Sequence, residues 1–83
     1  MRILYFAWLR AKTGTASEEV SPPPEVTTVG ALMTWLAAGR PGFSEALAAP
    51  GVIRAAVNHD YAHPADPVRP DDEVAFFPPV TGG

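Results

Sequence analysis

Seven apolar residues run unbroken from position 3 to position 9, Ile-Leu-Tyr-Phe-Ala-Trp-Leu. A short aromatic and aliphatic run of this length predicts a strand. A polar connection follows at 10–14, with Gly14 as a turn signal, and residues 16–20 predict a weaker strand at an edge. Two strands joined by so short a link read as an N-terminal hairpin. Three consecutive prolines at 22–24 then force a loop. Thr27 or Thr28 is placed to cap a helix, and Val29, Leu32, Met33 and Leu36 follow with the i, i+3, i+4, i+7 spacing of one buried face. Trp35 lies at the margin of that face. Gly39 is a stop signal and Pro41 bars the helix from continuing. Residues 43–48 read as a further helical turn ended by Pro50-Gly51, and 52–58 as a strand. Asn58-His59-Asp60 is a turn, and 61–70 are proline-rich with at most a short strand. Asp71-Asp72 turns the chain into a last strand at 73–77, which Pro78-Pro79 ends.

That order is strand, strand, helix, strand, irregular piece, strand, tail. The last strand can lie parallel to the first only through a crossover, which the helix supplies. The expected architecture is α+β: one mixed sheet packed on one main helix, the β-grasp or ubiquitin-like arrangement, with a protruding C-terminal tail. With 83 residues the chain reads as a single domain, 1–83, with 79–83 as a flexible functional tail.

A chain this short buries only about 60% of the surface its unfolded form exposes. It has little material with which to cover both faces of a sheet. Both central strands are nonetheless apolar on both sides. In the first, Ile3, Tyr5 and Ala7 alternate with Leu4, Phe6 and Trp8; in the last, Val74 and Phe76 alternate with Ala75 and Phe77. One helix covers one face. The other is expected to carry exposed aromatic surface for a partner, with Phe6, Phe77, Pro78 and Pro79 at the interface.

Composition narrows the chemistry. Hydrophobic residues make up 47% of the chain and charged residues 18%, which excludes a disordered chain. Six basic against nine acidic residues leave a formal charge of −3 and no basic stripe, which argues against nucleic acid. There is no cysteine, so any sulfur chemistry must use sulfur supplied from outside. The apolar run at the start is too short to span a bilayer and lacks a signal-peptide cleavage pattern, so the expected location is cytoplasmic and off the membrane. His59 and His63 are four apart, but Pro64 and the turn at Asn58-His59-Asp60 argue against a helix presenting them to a metal, and no metal site is expected. No serine stands in a G-x-S-x-G context, and Gly39-Arg40-Pro41-Gly42 has neither the spacing nor the lysine of a phosphate loop. Asp71, Asp72 and Glu73 read as a solvated turn. The one lysine, Lys12, beside Arg10, could meet acidic groups on a partner.

What remains is the end of the chain, Val80-Thr81-Gly82-Gly83. Glycine adds no bulk and tolerates unusual dihedrals, so such a segment can thread a narrow channel. A main-chain carboxylate at Gly83 is an anion at neutral pH and a poor electrophile. Activation as a mixed anhydride with AMP would let it accept sulfur, becoming a thiocarboxylate, or an amine, becoming an amide.

Phe76-Phe77-Pro78-Pro79-Val80-Thr81-Gly82-Gly83, preceded by Asp72-Glu73-Val74-Ala75, resembles the end of the molybdopterin synthase small-subunit family. Ala55-Ala56-Val57-Asn58 is similar to its central strand. Ile3-Leu4-Tyr5-Phe6-Ala7, with Arg10 and Gly14-Thr15, is similar to its start. The related thiamine-pathway carriers share the Gly-Gly end but generally lack the Phe-Phe-Pro-Pro approach. The resemblance implies a ubiquitin-like sulfur carrier with no active site and no permanent cofactor of its own. An E1-like enzyme would adenylate Gly83 with ATP and Mg²⁺, and a sulfur donor would convert it to a thiocarboxylate. Val80, Thr81, Gly82 and Gly83 would insert into the large subunit of a heterotetrameric synthase, where sulfur passes to cyclic pyranopterin monophosphate. The prolines at 22–24 and within 59–70 are departures in loops. Three other readings stay open: a carrier for thiazole or another pathway, a protein modifier joined to lysines through Gly83, and a plain binding module.

Overall fold

The computed structural model describes residues 1–48 and 53–78. Its elements are β1 (Arg2–Tyr5), α1 (Trp8–Thr13), β2 (Ser17–Glu19), α2 (Val29–Gly39), α3 (Pro41–Ala48), β3 (Arg54–Val57), β4 (Asp60–Ala62) and β5 (Glu73–Phe77). Five strands form one mixed sheet in the order β2-β1-β5-β3-β4. The central pair, β1 and β5, is parallel, with Tyr5 opposite Phe76; every other pair is antiparallel. This is the expected β-grasp, with more helix than the sequence pattern indicated.

The first correction falls at β1. The strand stops at Tyr5, and the apolar run continues into a short helix, α1. The break is at Ala7, whose φ of 56° and ψ of −135° no strand residue adopts. The Leu9 N–H donates to the Phe6 carbonyl at 3.2 Å, closing a tight turn over Ala7 and Trp8. Trp8 is therefore not a strand residue; Leu9, from the same run, is buried in the core. Gly14, at φ 79°, ends α1 in the left-handed conformation, its N–H donating to the Arg10 carbonyl at 3.0 Å. So β1 and β2 pair antiparallel as expected, but a helix rather than a short turn joins them.

Between Thr27 and Thr28, the cap of α2 is Thr28, whose hydroxyl accepts from the Ala31 N–H at 3.1 Å. The next donors of that helix end are used by the proline-rich loop: Val29 N–H donates to the Asp66 carbonyl and Gly30 N–H to the Pro64 carbonyl. The proline-rich stretch thus satisfies a helix terminus that would otherwise be left unpaired. Pro41, which ends α2, is the first residue of α3, a position where its missing N–H costs nothing. Gly42 is required there, because a Cβ would lie 1.8 Å from the Lys12 carbonyl oxygen of α1. The hairpin from β3 to β4 turns on Asn58 and His59, both at positive φ (50° and 74°), the two-residue type I′ geometry.

One cluster forms the core. Ile3, Tyr5, Val74 and Phe76 of the central strands pack with Leu9 of α1, Val29, Leu32 and Leu36 of α2, and Phe43 and Ala46 of α3. Its centre is aromatic: Phe43 meets Phe76 edge-on at 5.2 Å between ring centres and lies 5.9 Å from Tyr5.

Candidate functional site: the exit of the last strand

Parallel pairing puts the C-terminal ends of β1 and β5 side by side, and the Phe6 N–H donates to the Phe76 carbonyl at 3.1 Å. Phe6, Phe77 and Pro78 are thereby brought to one end of the sheet. Phe6 is 47% exposed and Trp8 39%. Phe77 and Pro78 are half-buried. Pro79, Val80, Thr81, Gly82 and Gly83 lie outside the described residues.

The pleat assigns the two faces. Tyr5, Phe76, Ala55 and Ala62 form one cross-strand row on the helix side; Leu4, Ala75, Ala56 and Tyr61 form the next row, on the other. Phe77, opposite Arg54, belongs to the uncovered side with Ala75. Tyr61 is 78% exposed, and its ring lies 5.8 Å from that of Phe77. Sequence reasoning missed Tyr61 because it sits in a stretch read as proline-rich loop; the alternation Tyr-Ala-His after the Asn58 turn was the available signal.

Three basic side chains gather at one end of the sheet, while Arg2 sits at the other, opposite Glu73. Arg54 stands at the end where the chain leaves β5, and Arg10 and Lys12 lie on α1, which begins there. Lys12 is 3.5 Å from Glu45. Glu73 and the Asn58 turn lie at the opposite end, where Asn58 holds Asp72 and Glu73 through its side-chain amide at 2.9 and 3.0 Å. His59 is in this turn, 3.6 Å from Glu73, and His63 lies beyond β4, so their four-residue spacing is not helical.

The most organised polar group joins β2 to the helices. Glu18 accepts from the Tyr5 hydroxyl at 2.6 Å and from Arg40 Nε and Nη2 at 2.7 and 2.6 Å, and Arg40 lies 5.5 Å over the Trp35 ring. Arg40's hydrogen bonds hold the Glu18 carboxyl below its usual range, against the burial that pushes it up. Burial, then the Glu18 hydrogen bond, holds the Tyr5 hydroxyl protonated far above its usual range. Tyr5 and Arg40 converge on the one carboxylate, so the triad clasps an edge strand rather than offering a group for chemistry.

Among the described residues, then, the exit of β5 presents apolar and aromatic surface and cationic side chains, and no assembled nucleophile and base. The ThiS family model matches residues 3–83. The chain belongs to the ThiS family. It is 41% identical to the molybdopterin synthase sulfur carrier subunit of Escherichia coli (strain K12), over all of this chain and 99% of that protein. It is 33% identical to the protein of the same description from Homo sapiens, over all of this chain and 93% of that one. The crystal structure of small archaeal modifier protein 1 from Haloferax volcanii superposes with a TM-score of 0.81 at 26% identity, covering all of this chain and 98% of that one. These findings bear out both the β-grasp fold and the resemblance to molybdopterin synthase small subunits. Among the described residues no helix is long and apolar enough to cross a membrane.

Proposed function

We propose that this ThiS-family chain is the sulfur carrier subunit of a molybdopterin synthase, with the Gly83 carboxylate as the carrying group. The observation that carries the reading is the full-length 41% identity to a molybdopterin synthase sulfur carrier subunit. The geometry of the β5 exit supports it: an apolar and aromatic platform beside the departing chain suits a protein that docks on larger partners.

The chemistry follows from the carboxylate. A carboxylate oxygen attacks the α-phosphorus of ATP, held with Mg²⁺ by an E1-like partner, and pyrophosphate leaves. A hydrosulfide-level sulfur donor attacks the acyl carbon, AMP leaves, and a thiocarboxylate remains. Residues 79–83 then enter the large subunit of a heterotetramer, where the thiocarboxylate sulfur attacks a carbon of the pyranopterin substrate, the oxygen substituent on that carbon leaves, and water cleaves the acyl–sulfur bond of the resulting thioester, leaving the sulfur on the pterin and restoring the carboxylate. In this chain Phe6, Phe77 and Pro78 seat the partner, and Val80 to Gly83 place the terminal atom. The cytoplasm supplies ATP and keeps the thiocarboxylate reduced.

The test is mass spectrometry of the intact chain after incubation with the activating enzyme, Mg-ATP and a sulfide source. An oxygen-to-sulfur increase at Gly83, followed by its loss on addition of the large subunit and pyranopterin, is expected; no mass change rejects the reading. The likeness to small archaeal modifier protein 1 favours a second reading, transfer of the activated Gly83 acyl group to a lysine of another protein. Conjugates that survive reductant and hydroxylamine are its signature.

A further inference from the structure

The alternation of sheet hydrogen bonds leaves one residue beside β3 without a neighbour. The Asn58 N–H donates to the Glu73 carbonyl at 2.8 Å, so even-numbered residues of this strand turn their peptide groups to β5 and odd-numbered ones to β4. Val57 and Ala55 stand opposite Asp60 and Ala62. Ile53 is the next odd residue, and the same register assigns it Pro64. Pro64 has no N–H, and its carbonyl accepts from the Gly30 N–H of α2. Among the described residues the Ile53 N–H and carbonyl have no backbone partner.

On that side lies a cleft of about 370 Å³, within the size range of ligand pockets. Val29 and Met33 of α2, Ile53, Pro64 and the Tyr61–Phe77 ring pair are its apolar walls, and Arg54 borders it. Arg54 is exposed and, among the described residues, makes no ion pair. An open peptide edge, an apolar slot and a cation therefore meet at two adjacent residues, whose Cα atoms are about 3.8 Å apart. One residue of an extended chain spans all three.

The open edge is closed on one side. His63, which follows Ala62, takes the place opposite Arg54, and its N–H donates to the Asp66 carboxylate at 2.8 Å. A strand laid against Ile53 cannot run on past Arg54; it can only end there. An amino end is a cation and is repelled by Arg54, whereas a carboxyl end is an anion and is attracted. We propose that the cleft binds the carboxyl end of a partner polypeptide, lying parallel to β3. Its last side chain is apolar and sits among Val29, Met33 and Ile53. Its final peptide group pairs with Ile53, and its carboxylate meets Arg54. The occupant is a polypeptide rather than a free apolar acid, because only the former brings a peptide group to the Ile53 edge. The slot is continuous, through Tyr61 and Phe77, with the aromatic face at the β5 exit. The site goes beyond the sulfur reading and uses no atom of Gly83.

The experiment is a methyl and amide NMR titration of the full chain with acetylated tripeptides ending in Val, Leu or Phe. Saturable shifts centred on Met33, Ile53, Arg54 and Tyr61 are expected with at least one of them. Amidating its carboxyl end, or adding a glycine after its last residue, weakens binding about ten-fold or more, as loss of a charged hydrogen bond requires. Arg54→Gln weakens the acid peptide by the same factor and leaves the amidated one unchanged, with the rest of the amide spectrum in place. Isovalerate, isocaproate and hydrocinnamate, which keep the side chain and carboxylate but lack the peptide group, bind at least ten-fold more weakly than the matching peptides. The proposal is overturned if no tripeptide gives saturable shifts at millimolar concentration. It is equally overturned if the amidated or glycine-extended peptide binds as well as the acid, or if the free acids match the peptides.

Discussion

The two faces of this sheet are built from the same kinds of residue and end in opposite states. On the helix side Ile3, Tyr5, Ala55, Val74 and Phe76 are all 3% exposed or less. On the other, Leu4, Ala75, Ala56 and Phe77 are only half-covered and Tyr61 is open to water. Hydrophobicity does not distinguish Phe76 from Phe77; parity along the strand does. Helix is available for one face only, and α1, α2 and α3 all contribute to it. Apolar surface left on the second face of a small domain is what an association site requires. The first face therefore holds the fold and the second is free to meet another molecule.

The sharpest way to break this contrast is Phe76→Ala. It removes the ring that meets both Phe43 and Tyr5 at the centre of the core. A cost of about 3–5 kcal/mol is expected, close to the whole stability of so small a domain. Urea denaturation followed by circular dichroism measures it. A loss below about 1 kcal/mol would mean that the covered face does not hold the fold.

Glu18 tests the edge of the same face. It stands opposite Ile3, inward on an edge strand, where a charge also discourages pairing with a second sheet. Glu18→Gln loses the charge on which Arg40 and Tyr5 converge, and about 1–2 kcal/mol is expected at neutral pH. The sign with pH is fixed by the direction of the shift. Arg40 lowers the folded-state value of Glu18, so its contribution is complete above the unfolded value, about 4.3, and is lost as pH falls through the lower folded value. The stability gap between wild type and Glu18→Gln is therefore full at pH 7 and closes in acid below about pH 4. A gap that holds constant to pH 2 would show that Arg40 and Tyr5 do not favour the charged form of Glu18 in the folded state.

How far these faces could be read in advance varies by element. The i, i+3, i+4, i+7 series of Val29, Leu32, Met33 and Leu36 marked α2 because three turns are enough to show a period. The apolar run Val74-Ala75-Phe76-Phe77, bounded by Asp71-Asp72 and Pro78-Pro79, marked β5 by its length and its turn signals rather than by alternation. By contrast α1 hid inside a continuous apolar run: six residues with one buried side chain, Leu9, carry no period to detect. The strand β4 was obscured because its three residues sit in front of prolines that belong to the cap of α2, a tertiary role invisible to local pattern. At the site, Phe6 and Phe77 were legible as doubly apolar strand residues, whereas Tyr61 and the Glu18–Arg40 pair required strand register and helix packing to bring them into place.

Phe77→Ala, one position from the core ring, sharpens the comparison by near silence. Phe77 is half-buried and touches Tyr61 across the open face, so its loss is expected to change stability by less than about 1 kcal/mol. On the proposed function its effect appears instead in binding to a molybdopterin synthase large subunit, expected to weaken ten-fold or more in titration calorimetry. Equal losses of stability for Phe76→Ala and Phe77→Ala would erase the distinction between the faces.

The smallest effect is expected where β1 passes from one role to the other. Ala7 occupies the first central position of a turn closed by the Leu9 N–H and the Phe6 carbonyl, with the dihedrals of a type II′ turn. Glycine is the residue that fits there; an alanine stores strain of order 1 kcal/mol. Ala7→Gly relieves that strain but frees the unfolded chain, at about 0.5–1 kcal/mol. A net gain of up to about 0.5 kcal/mol is expected, seen as a melting temperature higher by at most roughly 2–4 °C. Ala7→Val should move the other way, since a branched side chain fits this conformation worse than alanine. The pair of variants turns on the sign of one backbone angle. If glycine destabilised and valine did not, the turn that carries Phe6 and Trp8 to the surface would not be held as described.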